Sequence, residues 1–360
     1  MAYNYSTIQA LVNERYLPGM IDNIFAGKHY LWDYLKRNLK TYNERQISIG
    51  IEYAVATTLG FTARNQTFAL RNEEIATRAR YAPSMHTSTM VILTEDELEN
   101  TSTEAVESLL SLKTANLQKS IEQSLANYVW TRGTAAISSP NWNTIDFLVN
   151  NQAAVDVGDL LTDTSVPAWW KSKVVDLQND AFFQAGGASS LEEADLMDSS
   201  KHTFLKRMFA RLLSLAEYQN GGSSKENGDN DHMIIAPQYV CDCYEAILDE
   251  QKTGNKYNDR AGSAGFKLLD YRGVPIVPDS DMVANQTGDN DGRIYCLNPA
   301  NIYLFLNSGA KFTAGPFIEA ENSNRRSSKV LAYGNLAISN RARQAVLQNI
   351  YSPKSYSTAA

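Results

Sequence analysis

The sequence has little of what most catalytic and metal-binding sites are built from. Only three cysteines (Cys241, Cys243, Cys296) and four histidines (His29, His86, His202, His232) occur in 360 residues. So few cysteines, in odd number, exclude a disulfide framework and fit a reducing compartment. The histidines are scattered, and their spacing nominates neither a triad nor a zinc site. No apolar run approaches the roughly 18 residues that a membrane helix needs. The start, Met1-Ala-Tyr-Asn-Tyr5, lacks the basic and apolar regions of a secretory signal. Basic residues are also in short supply, 33 Lys and Arg against 40 Asp and Glu, for a net charge of -7. Such a chain is not built chiefly to grip phosphates, an affinity that comes from clustered Lys and Arg. The P-loop, dinucleotide-fold, zincin and nucleophile-elbow patterns are absent. The expectation is a soluble, mildly acidic protein made in the cytoplasm, with no membrane segment, cofactor, metal or catalytic group.

What is present reads as a globular chain: 43% apolar and 20% charged residues, with 20 Gly and 10 Pro. The first forty-odd residues carry aromatics (Tyr16, Phe25, Tyr30, Trp32, Tyr34) in bursts broken by Pro18-Gly19 and Gly27. Leu31, Tyr34, Leu35 and Leu39 are spaced for a short amphipathic helix, so this stretch reads as an arm lying on another surface. From Gln46 the period becomes two. Ile47, Ile49, Ile51, Tyr53 and Val55 face one way, and Ile75, Thr77, Ala79 and Tyr81 supply a return strand. The tip between them, Thr57 to Asn72, offers only Leu59, Phe61, Phe68 and Leu70 as large apolar groups. A lone two-stranded ribbon is marginal in water. A hairpin without a core of its own is therefore expected to pair with something else, such as another copy of the chain.

Charge sharpens that expectation. Between Gln46 and Ile92 stand Arg64, Arg71, Arg78 and Arg80 against Glu52, Glu73 and Glu74, with no lysine. Arginine's flat fork binds carboxylates bidentately and suits ion pairs at interfaces. A solvated hairpin face is the alternative.

The clearest helix follows. Thr101 to Glu104 fits a capping box, and Val106, Leu110, Leu117, Ile121, Leu125 and Tyr128 recur down one face. Acids from Glu95 to Glu107 crowd its start, and Gly133 ends it. About 30 residues at 1.5 Å rise give roughly 45 Å, the length of a strut.

A turn-rich stretch, 134 to 190, contains Trp169-Trp170, read as a wedge holding a loop to the core in preference to a stacking platform. Beyond it, helices through Leu191 to Leu215 and Val240 to Leu248 alternate with strands at 233–236, 266–269, 274–277 and 293–297, a mixed α+β module. Cys241 and Cys243 lie two apart on a helix and point to different sides, so they read as core, not ligands. Gly-Asp-Asn-Asp occurs at 228–231 and 288–291. Such clusters can hold a hard cation or simply form tight turns, and without EF-hand spacing the turn is the better reading. The chain ends in long strands, 330–339 and 343–350.

The order of parts (arm, extended loop, long helix, α+β module, returning strands) resembles the major capsid proteins of tailed bacteriophages with the HK97 fold. Four collinear stretches carry the likeness: Pro167-Ala-Trp-Trp-Lys-Ser172, Asp270-Tyr-Arg-Gly-Val-Pro-Ile-Val-Pro-Asp-Ser-Asp-Met282, Tyr295-Cys-Leu-Asn-Pro-Ala-Asn-Ile-Tyr303 and Tyr333-Gly-Asn-Leu-Ala-Ile-Ser-Asn-Arg-Ala-Arg-Gln-Ala-Val-Leu347. The resemblance implies an α+β HK97-like capsid fold with an N-terminal arm (1–44), an E-loop (45–92) and a peripheral domain (93–189) with its spine helix at 102–132. It further implies an axial domain (190–312), peripheral return strands (313–351) and a flexible tail (352–360). It implies subunit-interface roles for Phe61, Arg64, Phe68, Arg71, Arg78 and Arg80, for Glu104 and Glu107, and for Arg325 and Arg326. It implies pentamers and hexamers closing an icosahedral shell around double-stranded DNA in a virion assembled in the host cytoplasm, with a separate scaffolding protein, a portal and cement proteins. Some family members cross-link through an E-loop lysine, which this loop lacks. Others carry a fused scaffold of about a hundred residues, for which about 45 leave no room. Two alternatives stay open: an encapsulin-like compartment, and a metal-dependent hydrolase using Asp229, Asp231, Asp289 and Asp291.

Overall fold

The computed structural model describes residues 29–54, 73–95, 109–133, 141–150, 155–161, 166–177, 203–216, 232–250, 269–286, 288, 291–319 and 324–353. Helix α1 (Tyr30–Arg37) leads into β1 (Lys40–Tyr42) and then the hairpin strands β2 (Ile47–Glu52) and β3 (Ala76–Tyr81). Strand β4 (Ser84–Leu93), the long helix α2 (Leu109–Val129) and one-turn α3 (Ile145–Leu148) follow. The middle of the chain contributes β5 (Lys173–Asp176), α4 (Thr203–Leu215), β6 (Met233–Ala236), α5 (Gln238–Glu250), β7 (Leu269–Tyr271), β8 (Val274–Pro278) and α6 (Ser280–Ala284). The last part is β9 (Gly292–Leu297), β10 (Ile302–Asn307), β11 (Thr313–Ala314), β12 (Ile318–Glu319), β13 (Arg325–Ile338) and β14 (Ala345–Ile350).

Two six-stranded sheets carry the body. In the first, β13 is the axis: β4 runs antiparallel along ten of its residues, Leu93 opposite Arg325 to Ser84 opposite Gly334. On β13's other side lie β10, then β1, with the short β11 and β12 further along. Val330, Ala332, Leu336 and Ile338 alternate inward and meet Ile121, Leu125 and Val129 of α2, which are spaced four apart on one helix face. Leu31, Trp32 and Leu35 dock α1 on the same core.

The second sheet runs β5-β14-β9-β6-β8-β7. It is buried on both faces. Tyr295, Leu297, Ile235 and Val346 point into the core shared with α2, while Ile294, Cys296, Ile234, Ala345 and Leu347 point into a second core under α4 and α5. Double burial is why these strands read as nearly unbroken apolar runs, not as alternating ones. The turn Arg272-Gly273, both at positive φ (54° and 83°), joins β7 to β8 as a tight two-residue hairpin.

The α+β expectation holds, and the long helix lies where its pattern puts it, described over Leu109–Val129 and closed by i→i+3 bonds from Trp130 and Thr131. Its expected capping box lies outside the described residues. Three strands change company. Residues 84–93, expected within the extended loop, are a principal strand of the first sheet. Strand β10, expected in the axial domain, belongs to the first sheet, and β14, expected to return with β13, instead pairs β5 and β9 in the second. Side-chain alternation identifies strands and their faces but not their partners, which are set by contacts far apart in sequence.

Candidate subunit interface

The hairpin is fastened at its base. Ile47, Ala79 and Tyr81 are buried, with Ile49 and Ile51 half-buried behind them. The Tyr81 hydroxyl donates to the Ile338 carbonyl at 2.8 Å, and the Arg80 backbone N–H donates to the Gly158 carbonyl at 2.8 Å. Burial pushes the Tyr81 hydroxyl's pKa well up, so it stays a donor. A Cβ at Gly158 would sit 3.0 Å from that of Ala79, and glycine's φ of 83° there lets the loop pass this close. Tyr53 stacks on Trp169 with ring centroids 4.9 Å apart, and Trp170, fully buried, donates its indole N–H to the Val157 carbonyl at 2.6 Å. The tryptophan pair is thus the wedge it was expected to be. The reading of a hairpin without a core of its own is corrected here: the chain's own body supplies one as far as Tyr53.

The opposite face of the hairpin is polar and open. Ser48, Gly50 and Glu52 face outward with Arg78 and Arg80. Arg80 lies 3.7 Å from Asp159 of its own chain, but both side chains are 57% exposed, so the pair adds little to stability. Phe61, Arg64, Phe68, Arg71, Glu104 and Glu107 lie outside the described residues.

Arg325 and Arg326 open β13 at the far end of the first sheet. Arg326 Nε donates to Glu319 Oε1 at 2.7 Å across the β12–β13 ladder, in an exposed setting, and Arg325 stands opposite Leu93. Near them the sheet shows apolar side chains to solvent, Val91 on β4, Phe317, and Ile318 (65% exposed) on β12, and Met85 (57% exposed) does so towards the other end of β4. Among the described residues β4 pairs only with β13. Its ten residues, Ser84 to Leu93, carry no Lys, Arg, Asp, Glu or Pro. An uncharged edge of that length is what soluble monomers avoid, because it invites another strand. Sequence reading missed these exposed groups. Their signal was the alternation of Met85, Thr87, Thr89 and Val91, which marks one face without saying whether it is covered.

The residues weighed for chemistry are otherwise engaged. Cys241, Cys243 and Cys296 are buried and unbonded to one another, and burial pushes the Cys241 thiol up to about 12. Asp291 pairs with Arg132 at the end of α2, and Arg293 pairs with Asp146, which also accepts from the Tyr295 hydroxyl at 3.2 Å. Asp229, Asp231 and Asp289 lie outside the described residues, and among the described residues no three His, Cys, Asp or Glu side chains converge to hold a metal. No described helix is long and apolar enough to cross a membrane.

No protein-family model and no curated protein matches the sequence. Solved structures do. The capsid subunit of cyanophage A-1(L) superposes with a TM-score of 0.59 at 14% identity, covering 97% of this chain and 99% of that one. The capsid subunit of a native GTA particle gives 0.58 at 8% identity over 95% and 96%. The SrpI encapsulin of Synechococcus elongatus PCC 7942 gives 0.55 at 10% identity over 98% and 97%. The chain has the HK97-like capsid fold. The likeness runs the length of the chain, so the HK97-like fold accounts for the hairpin, the long helix and both sheets together.

Proposed function

We propose that the chain is the major capsid protein of a tailed bacteriophage, which assembles as pentamers and hexamers into an icosahedral shell around double-stranded DNA. The observation that carries this reading is end-to-end agreement with phage capsid subunits in a chain whose outer hairpin face is polar and exposed and whose uncharged β4, among the described residues, pairs on one side only. In this reading the tip of the hairpin, beyond its anchored base, lies on a neighbour, so several modest contacts close together around the shell and avidity makes the wall stronger than any one pair. Arg64, Arg71, Arg78 and Arg80 would meet a neighbour's acidic segment, where Glu95, Asp96, Glu97, Glu99, Glu104 and Glu107 stand without a Lys or Arg among them. The net charge of -7 suits a wall that does not bind DNA tightly. No lysine lies between Gln46 and Ile92, so the contacts are noncovalent there.

The likeness to an encapsulin supports one other reading, a compartment loaded with protein. Particle contents separate the two. Particles recovered from their natural source, nuclease-treated and then opened, are expected to release protected double-stranded DNA. An enzyme cargo in place of DNA would favour the compartment.

A further inference from the structure

A half-open cavity of about 350 Å³ lies where α1, α2 and β13 meet. Among the described residues, Leu39, Ile121, Phe312 and Val330 make its wall apolar, and Trp32 of α1 adds an aromatic face. Protein interiors are close-packed, so a space of this size between packed elements needs a reason. Its volume and apolar lining are those of a small-molecule site. Two features mark it as more than loose packing. Phe312, in the turn between β10 and β11, has a φ of 49°, the left-handed region that an aromatic residue rarely enters. Such costly backbone collects at ligand clamps. Trp32 supplies the second feature. Its indole N–H is buried and meets no acceptor among the described residues. Trp130, Trp142 and Trp170 are also buried, and each donates its indole N–H to an oxygen at 3.0, 3.0 and 2.6 Å. The charges at the mouth engage one another: Lys36 Nζ lies 3.0 Å from Asp33 Oδ1 and 3.4 Å from Glu122 Oε2. Two carboxylates against one ammonium repel an anion, and an exposed ion pair returns little to any ionic group that gives up water for it.

We propose that this cavity binds an uncharged, largely apolar molecule carrying one oxygen that accepts the Trp32 indole N–H. An apolar cavity of about 150 Å³ holds benzene, so this one suits a molecule of about two fused rings. The body of the ligand lies against Leu39, Ile121, Phe312 and Val330, where removal of apolar surface from water supplies the affinity. Its oxygen fixes the orientation and gives the buried indole the acceptor it lacks. That N–H is sealed from solvent while the cavity is empty, so a small tilt of the indole ring presents it to the ligand. The site belongs to the single subunit and stands apart from the shell reading.

Equilibrium dialysis of the full chain against three molecules of one shape tests the site. Acetonaphthone carries the oxygen, isopropylnaphthalene lacks it, and naphthoate is charged. The first two are expected to bind saturably, and naphthoate at least about ten-fold more weakly than acetonaphthone. Trp32→Phe keeps a ring but removes the N–H. The ratio of ketone to hydrocarbon affinity is expected to fall about three- to ten-fold in that variant, the yield of one hydrogen bond. Gln118→Trp, at an exposed position of α2 on the cavity's lining, covers the mouth and is expected to abolish binding of both. No saturable binding to the wild type overturns the proposal. So do naphthoate bound as tightly as the ketone, a ratio unchanged in Trp32→Phe, or binding undiminished in Gln118→Trp. Affinity that falls as chain concentration rises also overturns it, since a second copy of the chain is then what covers the cavity. Should circular dichroism show Trp32→Phe unfolded, the wild-type series and Gln118→Trp decide the matter.

Discussion

Several single side chains fix the first sheet to its surroundings. Asn335 accepts the Asn143 backbone N–H at 2.6 Å through Oδ1 and donates to the Ala82 carbonyl at 2.7 Å, closing two loops with one buried amide. Arg341, 1% exposed, donates Nε to the Leu148 carbonyl at 2.9 Å and Nη2 to the Asn150 carbonyl at 2.8 Å. Burial draws its guanidinium down to about 10, still charged at neutral pH. At Gly334 the neighbouring strand comes so close that a Cβ would overlap the Phe305 carbonyl oxygen. Gly334→Ala is expected to cost about 1–3 kcal/mol, read as a lower urea midpoint with an unchanged slope. A wild-type midpoint would show that the two strands part easily. None of these roles is legible in the sequence, where Asn335 and Arg341 are polar residues in a strand-rich stretch. Their partners lie some 190 residues or more away.

Among the elements, the hairpin divides into an anchored base and a tip. The base holds through Tyr81, Gly158 and the Tyr53–Trp169 stack, all contributed by the chain itself. Removing residues 57–72 should therefore leave the folded subunit within about 0.5 kcal/mol of wild type, yet unable to build closed shells. Normal particles from that deletion would refute the interlocking role of the tip. Strands β2 and β3 were plain in the sequence because one face is buried and the other is wet, which produces strict alternation. At the turn Arg272-Gly273, glycine fills a position whose φ of 83° favours it, while Arg272 takes a φ of 54° without the Asn or Gly that such a position usually carries. Strand β4 was misplaced for the opposite reason. Its alternation is as clear, but only β13 tells which sheet it joins, and β13 lies more than 230 residues later.

In the molecule as a whole, the second sheet is the shared wall between two cores, and the long helix, α1 and the first sheet close over one of them. The succession of elements was enough to suggest this architecture. The sheet each strand joins was not, because β10 pairs β13 in the first sheet while β14 pairs β5 and β9 in the second. Of the exposed surface, the outward direction of Arg78 and Arg80 was legible, whereas the exposure of Met85, Val91 and Ile318 emerged only in three dimensions. Both features describe a subunit with surfaces left over after folding. Sedimentation of the purified full-length chain, with negative-stain microscopy of the same sample, tests that directly. The expected result is five- and six-membered rings joined into a wall one subunit thick, growing with concentration. A single monomeric species at every concentration, with no rings on the grid, would contradict it.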